Sequence, residues 1–399
     1  MSPSPLSCTV SGIGTALPAG WIEQGDTGVL AGRTGPPAGP DGEAGRRRIA
    51  ALYRKVGVKK RHLVLVDPDS SGTEPDRVPF YPPGPGTHAG APTTGDRIIA
   101  YEKHAGPLAV RAAAAALADA GVHPGRVTQS VTVSCTGFAA PGVDCALIED
   151  LGLPRSVGRT HVGFMGCHAA LNGLRVAGAL CAADPSAAVL LTAVELCSLH
   201  HQYTPDPVAD SGQVIANALF ADGAAAMLCT GADFRPDPPT AGVSDEPKTA
   251  TAPYRLLGSG SVVLADTADA MTWRVGDAGF LMTLELAVPV AIRAHLAGWM
   301  DEWLSTFGLT RAEVGTWAVH PGGPAILDAA AEALGLGERE LDPSRALLAE
   351  VGNLSSPTIL FLLDRLRSAR GLAGAKASDG PVVAVGFGPG LTVEAALFG

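Results

Sequence analysis

Paired cysteines are missing from this chain. Its seven cysteines lie scattered at positions 8, 135, 145, 167, 181, 197 and 229, an odd number with no CxxC spacing. That excludes a disulfide framework and reads as a reduced, cytoplasmic chain with mostly buried thiols. Cys197, His200 and His201 are close in sequence, but their spacing is poor for zinc and no second ligand cluster follows. A structural or pocket-lining role is expected for them, and no metal. Long apolar runs are also missing. The longest obvious candidate, AAVLLTAV at 187–194, ends at Glu195, well short of the about 18–20 residues of a membrane span. The opening MSPSPLSCTVSG has neither a basic nor an apolar segment, so no secretory signal is expected. Positive charge is scarce as well: 29 basic against 39 acidic residues give a net charge of −10, which offers no reason to expect nucleic-acid or anionic-membrane binding. No pair of carboxylates stands out as an acid–base couple. The glycine-rich GFGPG at 386–390 is not a G-x-G-x-x-G fingerprint. Gly388 and Pro389 are expected in a tight turn lining a pocket rather than around a nucleotide cofactor.

What is present is core-forming material. Of the 399 residues, 46% are hydrophobic and 17% charged, a balance that buries a large core. Residues 31–45 and 67–95 read as Gly/Pro-rich loops, with a basic, partly helical stretch at 46–61 between them. Residues 101–120 are a strong helix. Then strands and helices alternate: strands at 130–135, 187–196 and 224–229, with helices at 141–153 and 167–181. After a Pro/Asp/Thr-rich boundary at 231–252 the alternation resumes. Strands are expected near 256–264, 315–320 and 381–386, and helices near 284–305, 323–334 and 355–370. Strands alternating with helices on both sides of that boundary imply an α/β fold; two similar halves are compatible with it, without a sequence repeat strong enough to show duplication.

Three islands carry chemistry. Cys167 in GFMGCHAA stands where a strand turns into a helix; Gly163 and Gly166 permit a sharp turn, and the helix N-terminus favours a thiolate. The plain alternative is a small buried hydrophobe. His320 in WAVHPGGP ends a strand, with Gly-Gly clearing space around it; a structural hydrogen bond is the alternative. Asn353 in GNLSS precedes a helix. It is either an N-cap or, if Ser355 or Ser356 serves as cap, an uncharged donor to a developing oxyanion.

These islands and six further segments — YEKHAGPLAVRAA, VSCTGFAAPGVD, VELCSLHHQY, NALFADGAAA, WRVGDAGFLMTL and GFGPGLTVE — follow one another from about Arg48 onward. In that order the chain resembles the type III polyketide synthases, the chalcone and stilbene synthase-like family, in bacterial form. The resemblance implies a thiolase fold, with duplicated βαβαβαββ-like halves in a five-layered αβαβα arrangement. Residues 1–235 would carry the Cys, and 236–399 the His and Asn. It implies a homodimer without a cofactor, using acyl-CoA and malonyl-CoA as substrates. Cys167 would be acylated, while His320 and Asn353 would assist decarboxylation and stabilise the enolate. Phe220 would stand between the CoA tunnel and the cyclisation pocket. Met282 falls where the family has a second such Phe. Cys135, Cys197, His200 and Ser355 fall on cavity positions. Arg48 and Lys55 match CoA-binding basic residues, with Ala51 in the middle place. Ala140 replaces a Met that enters the partner subunit in plant members, and the 67–95 loop has no counterpart. A slim Met282 and an Ala-rich lining favour a long or bulky starter. The implied reaction is iterative Claisen condensation and cyclisation to a resorcinol, pyrone or similar product. The alternatives are a single-condensation ketoacyl synthase III-like enzyme, an acyltransferase of the same fold, and a non-catalytic partner subunit.

Overall fold

The structure, a computed structural model, describes residues 8–26, 34–36, 40–67, 78–82, 90–236, 252–370 and 380–399. The first array of strands comprises β1 (Cys8–Ala16), β4 (Gln129–Ser134), β5 (Gly158–Gly163), β6 (Ala188–Leu196) and β7 (Asp222–Gly231). The second comprises β8 (Tyr254–Val263), β11 (Thr316–Val319), β12 (Val382–Gly388) and β13 (Thr392–Phe398). They form one nine-stranded sheet in the order β11-β12-β13-β8-β1-β7-β6-β4-β5. Two ribbons stand apart: β2 (Trp21–Glu23) with β3 (Lys60–His62), and β9 (Met271–Gly276) with β10 (Gly279–Leu284).

The two arrays repeat one pattern. β4 pairs parallel with β5 and β6, and β6–β7 and β7–β1 are antiparallel. Likewise β11–β12 is parallel, and β12–β13 and β13–β8 are antiparallel. The arrays join where β1 runs antiparallel to β8. The second array lacks a counterpart of β5; there, residue 353 makes only an isolated parallel bridge to Phe220.

Helices cover both faces. α2 (Thr94–Ala120) starts on a capping box of Thr93 and Asp96 and stops at Gly121 in the left-handed region. Its Ala109, Ala112 and Ala116 pack with Leu147 of α3 (Val143–Leu151) onto Leu190 and Leu228. At the centre, α4 (Ala169–Ala183) and α9 (Pro357–Arg370) lie between the arrays. Leu171, Leu174, Ile359 and Leu362 meet Val133 and Leu191 on one side and Val382 and Ala384 on the other. On the far face, α6 (Ala287–Ser305) and α7 (Pro324–Leu334) place Ile292, Leu296 and Leu327 on Val383, Val385 and Val393. Successive residues of β12 thus serve opposite layers, as strand alternation requires. The result is the expected αβαβα layering. α1 (Pro40–Lys55), α5 (Ser211–Leu219) and α8 (Asp342–Val351) complete the helices.

Several sequence expectations shift. The loop read at 31–45 gives way at Pro40 to α1, which ends at Lys55 rather than continuing to 61. The helix read from 101 begins at Thr94. α8 and the β9–β10 ribbon carried no expectation. Of the expected boundary at 231–252, residues 237–251 lie outside those described, as do 68–77 and 83–89 of the 67–95 loop.

Leu362 is wholly buried in the central layer, whereas Leu286 is 89% exposed. Leu362→Ala is expected to cost about 2–5 kcal/mol, and Leu286→Ala less than about 0.5 kcal/mol. Chemical denaturation of the two variants checks this; equal effects would contradict the layer assignment.

Candidate active site

β5 ends at Gly163, and the chain reverses within five residues to start α4 at Ala169. Phe164 and Gly166 both take positive φ, 56° and 77°. A Cβ on Gly166 would also fall on the ring of Pro389, so position 166 requires glycine twice over. The turn leaves Cys167 buried just ahead of α4. Burial pushes its thiol up to about 11, and the Glu195 carboxyl adds to that. Hydrogen bonds from the side chains of Ser355 and Asn353 pull the other way.

Asn353 performs both of the jobs that its sequence left open. Its Oδ1 accepts the Ser355 N–H at 2.8 Å and the Thr358 hydroxyl at 3.4 Å, as a residue opening a helix does. That fixes the amide orientation and leaves Nδ2 as the donor, toward the Gly322 carbonyl at 3.4 Å and the Cys167 sulfur. Its backbone is held from both sides: N–H donates to Leu219 O at 2.8 Å, and O accepts from Ala221 N–H at 2.9 Å. Ser355 sits at φ 57°, a strained setting for a residue with a side chain.

His320 follows β11, its N–H donating to Val385 O at 2.8 Å. Its imidazole is buried, and neither ring nitrogen has a partner among the described residues. Burial, with His168 nearby, pulls it down to about 3, so the ring is neutral at pH 7. Burial thus works against the thiolate expected at Cys167 and against an imidazolium at His320.

A hub without a counterpart among the sequence expectations lies behind Cys167. Glu195, at the end of fully buried β6, accepts from the Cys135 N–H (2.9 Å), the Thr136 hydroxyl (2.7 Å) and the Ser356 hydroxyl (2.7 Å). Its signal was visible: a lone carboxylate inside an apolar strand must be hydrogen-bonded to be tolerated. Burial nevertheless pushes its carboxyl up to about 7.

One cavity gathers Cys167, Cys135, Cys197, His200, Phe220, Met282, Ser355 and Pro389. Gly388 is not in its lining; a side chain there would meet the His168 ring. His320 and Asn353 are not in its lining. The ring nitrogens of His200 are used on Thr136 O (2.6 Å) and Phe280 N–H (3.0 Å), and His201 bonds the Thr34 hydroxyl (2.9 Å). Arg61, also missed, is buried in the wall and donates to the carbonyls of Asn217 (2.7 Å) and Phe220 (3.2 Å).

A second, apolar groove runs past Leu52, Lys55, Leu219 and Leu284 to Gly322 and Gly323, beside His320. Lys55 is where a tunnel cation is expected. Arg48 instead turns its Nε to Pro207 O at 3.2 Å and does not line the groove.

Met282 pairs with Trp273 across the β9–β10 ribbon, and both line the first cavity.

Comparisons place this site in a family. The profile of the chalcone and stilbene synthase N-terminal domain matches residues 6–234, and that of the C-terminal domain matches 256–399. An alpha-pyrone synthesis polyketide synthase-like protein of Mycobacterium tuberculosis is 30% identical over all of this chain and 92% of its own length. The 1,3,6,8-tetrahydroxynaphthalene synthase of Streptomyces peucetius is 31% identical over 94% of this chain and 90% of its own. The crystal structure of PKS-I from the brown alga Ectocarpus siliculosus superposes with a TM-score of 0.84, at 30% identity over 98% of each chain. The chain belongs to the chalcone and stilbene synthase family, the type III polyketide synthases, which are acyltransferases with a thiolase-like fold.

Glu195 yields a pH test. Its folded pKa, about 7, lies above the ordinary 4.5, so the folded state holds this proton more tightly. The resulting stability is present below 4.5 and lost as pH rises through about 7. Relative to Glu195→Gln, the wild type is expected to lose up to about 3 kcal/mol across that window, at 1.36 kcal/mol per pK unit. Denaturant titrations at a series of pH values measure it; a pH-independent difference would contradict the assignment.

Proposed function

We propose that Cys167 takes an acyl group from an acyl-CoA starter and extends it with malonyl-CoA by decarboxylative Claisen condensation. Attack of the thiol sulfur on the starter thioester forms the Cys167 acyl bond and releases CoA. Its proton is taken up by the imidazole of His320, whose ring nitrogens have no partner among the described residues. Burial opposes either charge alone, but at low dielectric it strengthens the attraction between the thiolate and imidazolium that the transfer creates. Malonyl-CoA then loses CO₂, and the electron pair of the broken C–C bond becomes an enolate. A ring N–H of His320 and Nδ2 of Asn353 hold its oxygen. The amide suits this because it donates without supplying an acidic proton that would quench the carbanion. The enolate attacks the acyl carbonyl, a C–C bond forms, the C–S bond breaks, and the Cys167 sulfur leaves.

The observation that carries this reading is the pinned amide of Asn353, whose side chain hydrogen-bonds the Cys167 sulfur. The apolar groove at Lys55 suits the pantetheine arm, with Lys55 in its wall for a CoA phosphate. Phe220, bridged to residue 353, stands where arm and cavity meet. Iteration and cyclisation to a pyrone, resorcinol or related ring follow in the closed cavity, where water is excluded. No cofactor is called for, since loss of CO₂ drives carbanion formation.

The two arrays correspond to a division at 1–235 and 236–399. A homodimer through β5 is supported by that strand's place at the sheet edge and by exposed Phe138, Phe164 and Met165 beside it. A cytoplasmic location accords with seven unpaired cysteines; among the described residues no helix is long and apolar enough to cross a membrane.

Cys167→Ala is expected to abolish product from acyl-CoA and malonyl-CoA, while Asn353→Ala is expected to lower kcat by roughly 100- to 1000-fold. Mass spectrometry of products and of the acylated protein reads both. Undiminished condensation by Cys167→Ala would sink the proposal.

A further inference from the structure

A chain of polar side chains leads from the residue after Cys167 to the surface, and the chemistry above makes no use of it. His168 is buried, and its Nδ1 lies 2.7 Å from Asn172 Oδ1, one turn along α4. Asn172 Nδ2 donates to Glu394 Oε1 on β13 at 2.7 Å. Glu394 Oε2 accepts from Arg175 Nη1 at 3.2 Å. The Glu394 side chain is 2% exposed and that of Arg175 is 44% exposed, so the chain ends in solvent. Its direction is fixed. The carboxylate only accepts, so the Asn172 amide nitrogen faces Glu394 and its oxygen faces the ring. That assigns the hydrogen of the neutral His168 ring to Nδ1, which donates to Asn172.

The same ring lies against the end of β12. A Cβ on Gly386 would fall 3.2 Å from His168 Cβ, and one on Gly388 would fall 2.6 Å from His168 Nε2. β11 runs parallel to β12 with Val319 beside Val385, and His320 comes next in line. The two histidines therefore flank the end of one strand, and a charge on His168 opposes a charge on His320. Around His168, α4 brings Arg175, β13 brings Glu394, and the flanking turns bring Cys167 and His320. β12 faces it with glycines, the first turn of α9 (residues 357–360) carries no ionisable group, and Glu195 bears on Cys167. Burial pulls His168 below its ordinary 6.5, while the Asn172 hydrogen bond and the Glu394 carboxylate pull it back up. His320 has no such partner and sits at about 3.

We propose that His168 is a positioning residue acting through His320: held by Asn172 and Glu394, it takes the first proton of the pair and thereby sets the acid limit of Cys167 acylation. This rests on the reading of Cys167 as the acylated nucleophile and His320 as the acceptor of its proton. With His168 neutral, the thiol proton moves to His320 and leaves a thiolate beside one imidazolium. With His168 already protonated, the same transfer places two cations at the end of one strand, and it is suppressed. Reactivity is therefore present above the His168 titration, which lies below 6.5, and is lost as pH falls through it.

The test is the pH dependence of Cys167 reactivity in the whole enzyme. Alkylation by iodoacetamide and acylation by acetyl- and hexanoyl-CoA are each followed from acid to pH 8 by mass spectrometry of the Cys167 peptide. Asn172→Asp sets a carboxylate against the ring and is expected to move the acid midpoint up by about one pH unit or more. Glu394→Gln removes the charge that favours the protonated ring and is expected to move it down by about half a unit or more. His168→Gln, which keeps a donor for Asn172 but no titrating group, is expected to abolish the limb. A purely structural role would lower the rate at every pH and leave the midpoint in place. Midpoints within about 0.2 units of the wild type in both Asn172→Asp and Glu394→Gln overturn the proposal, whether or not His168→Gln folds. An unchanged limb in a folded His168→Gln overturns it too. Acylation of Cys167 with an immovable limb refutes this inference alone. No acylation of Cys167 at any pH refutes the function on which it rests.

Discussion

Packing α4 against α9 between the two arrays of strands is the constraint on which the site depends. Each helix follows a turn at the same edge of its array: Cys167 just before α4, Asn353 just before α9. The repeated strand pattern makes these equivalent positions, with β5 feeding the first and an isolated bridge standing in for the second. The central core of Leu171, Leu174, Ile359 and Leu362 draws the two turns together. His320 and Cys135 stand in a second equivalent pair, each just past a parallel strand, β11 and β4. Four residues at the ends of strands thus converge without a dedicated loop, as ligand-bearing sites in α/β sheets commonly do. The repeated strand pattern supplies the geometry, and different residues occupy its equivalent positions.

That placement sets the electrostatics. Depth in the central layer drives Cys167 and His320 toward neutrality and raises Glu195. The same depth makes each hydrogen bond count for more, since an unpaired polar group there has no water to fall back on. The wall around Glu195 is fully bonded, with three donors on two oxygens. By contrast the His320 ring nitrogens are unspent in the same layer. Strain concentrates nearby, at Phe164 and Ser355, whose positive φ values bracket the thiol. Bonded walls, unspent donors and strained turns within one site are what preorganisation toward a charged intermediate requires.

Much of this was legible in the residues. The 3.6- and 2-residue periods gave the alternation, because each element buries one face or all of itself. Cys167, His320 and Asn353 were legible because each stands in a glycine-rich turn where packing alone has little use for it. What failed to show was anything that depends on two segments meeting. Met282 reads as a lone slim residue until β9 lies beside it and brings Trp273 to the same cavity wall. Tyr81, in a loop that reads as Pro/Gly-rich filler, turns out wholly buried against His201 and Arg97. Asn353 posed a choice between cap and donor that dissolves in three dimensions, since its two amide ends do different jobs. β13 is a short run after the GFGPG turn, and its place is set by pairing with β12 and β8.

Rigidity and reactivity in this site have one source. A wall soft enough to admit any starter would also admit water to the thioester and relax the Asn353 amide from its aim. The Cys135 sulfur and carbonyl join the two demands physically, one bonded to the nucleophile's turn and the other to the Trp273 indole. A change that moves Trp273 therefore pulls on Gly166, where φ 77° and the Pro389 ring leave no slack. The cavity wall and the turn that carries Cys167 are, in this chain, held by the same hydrogen-bonded path.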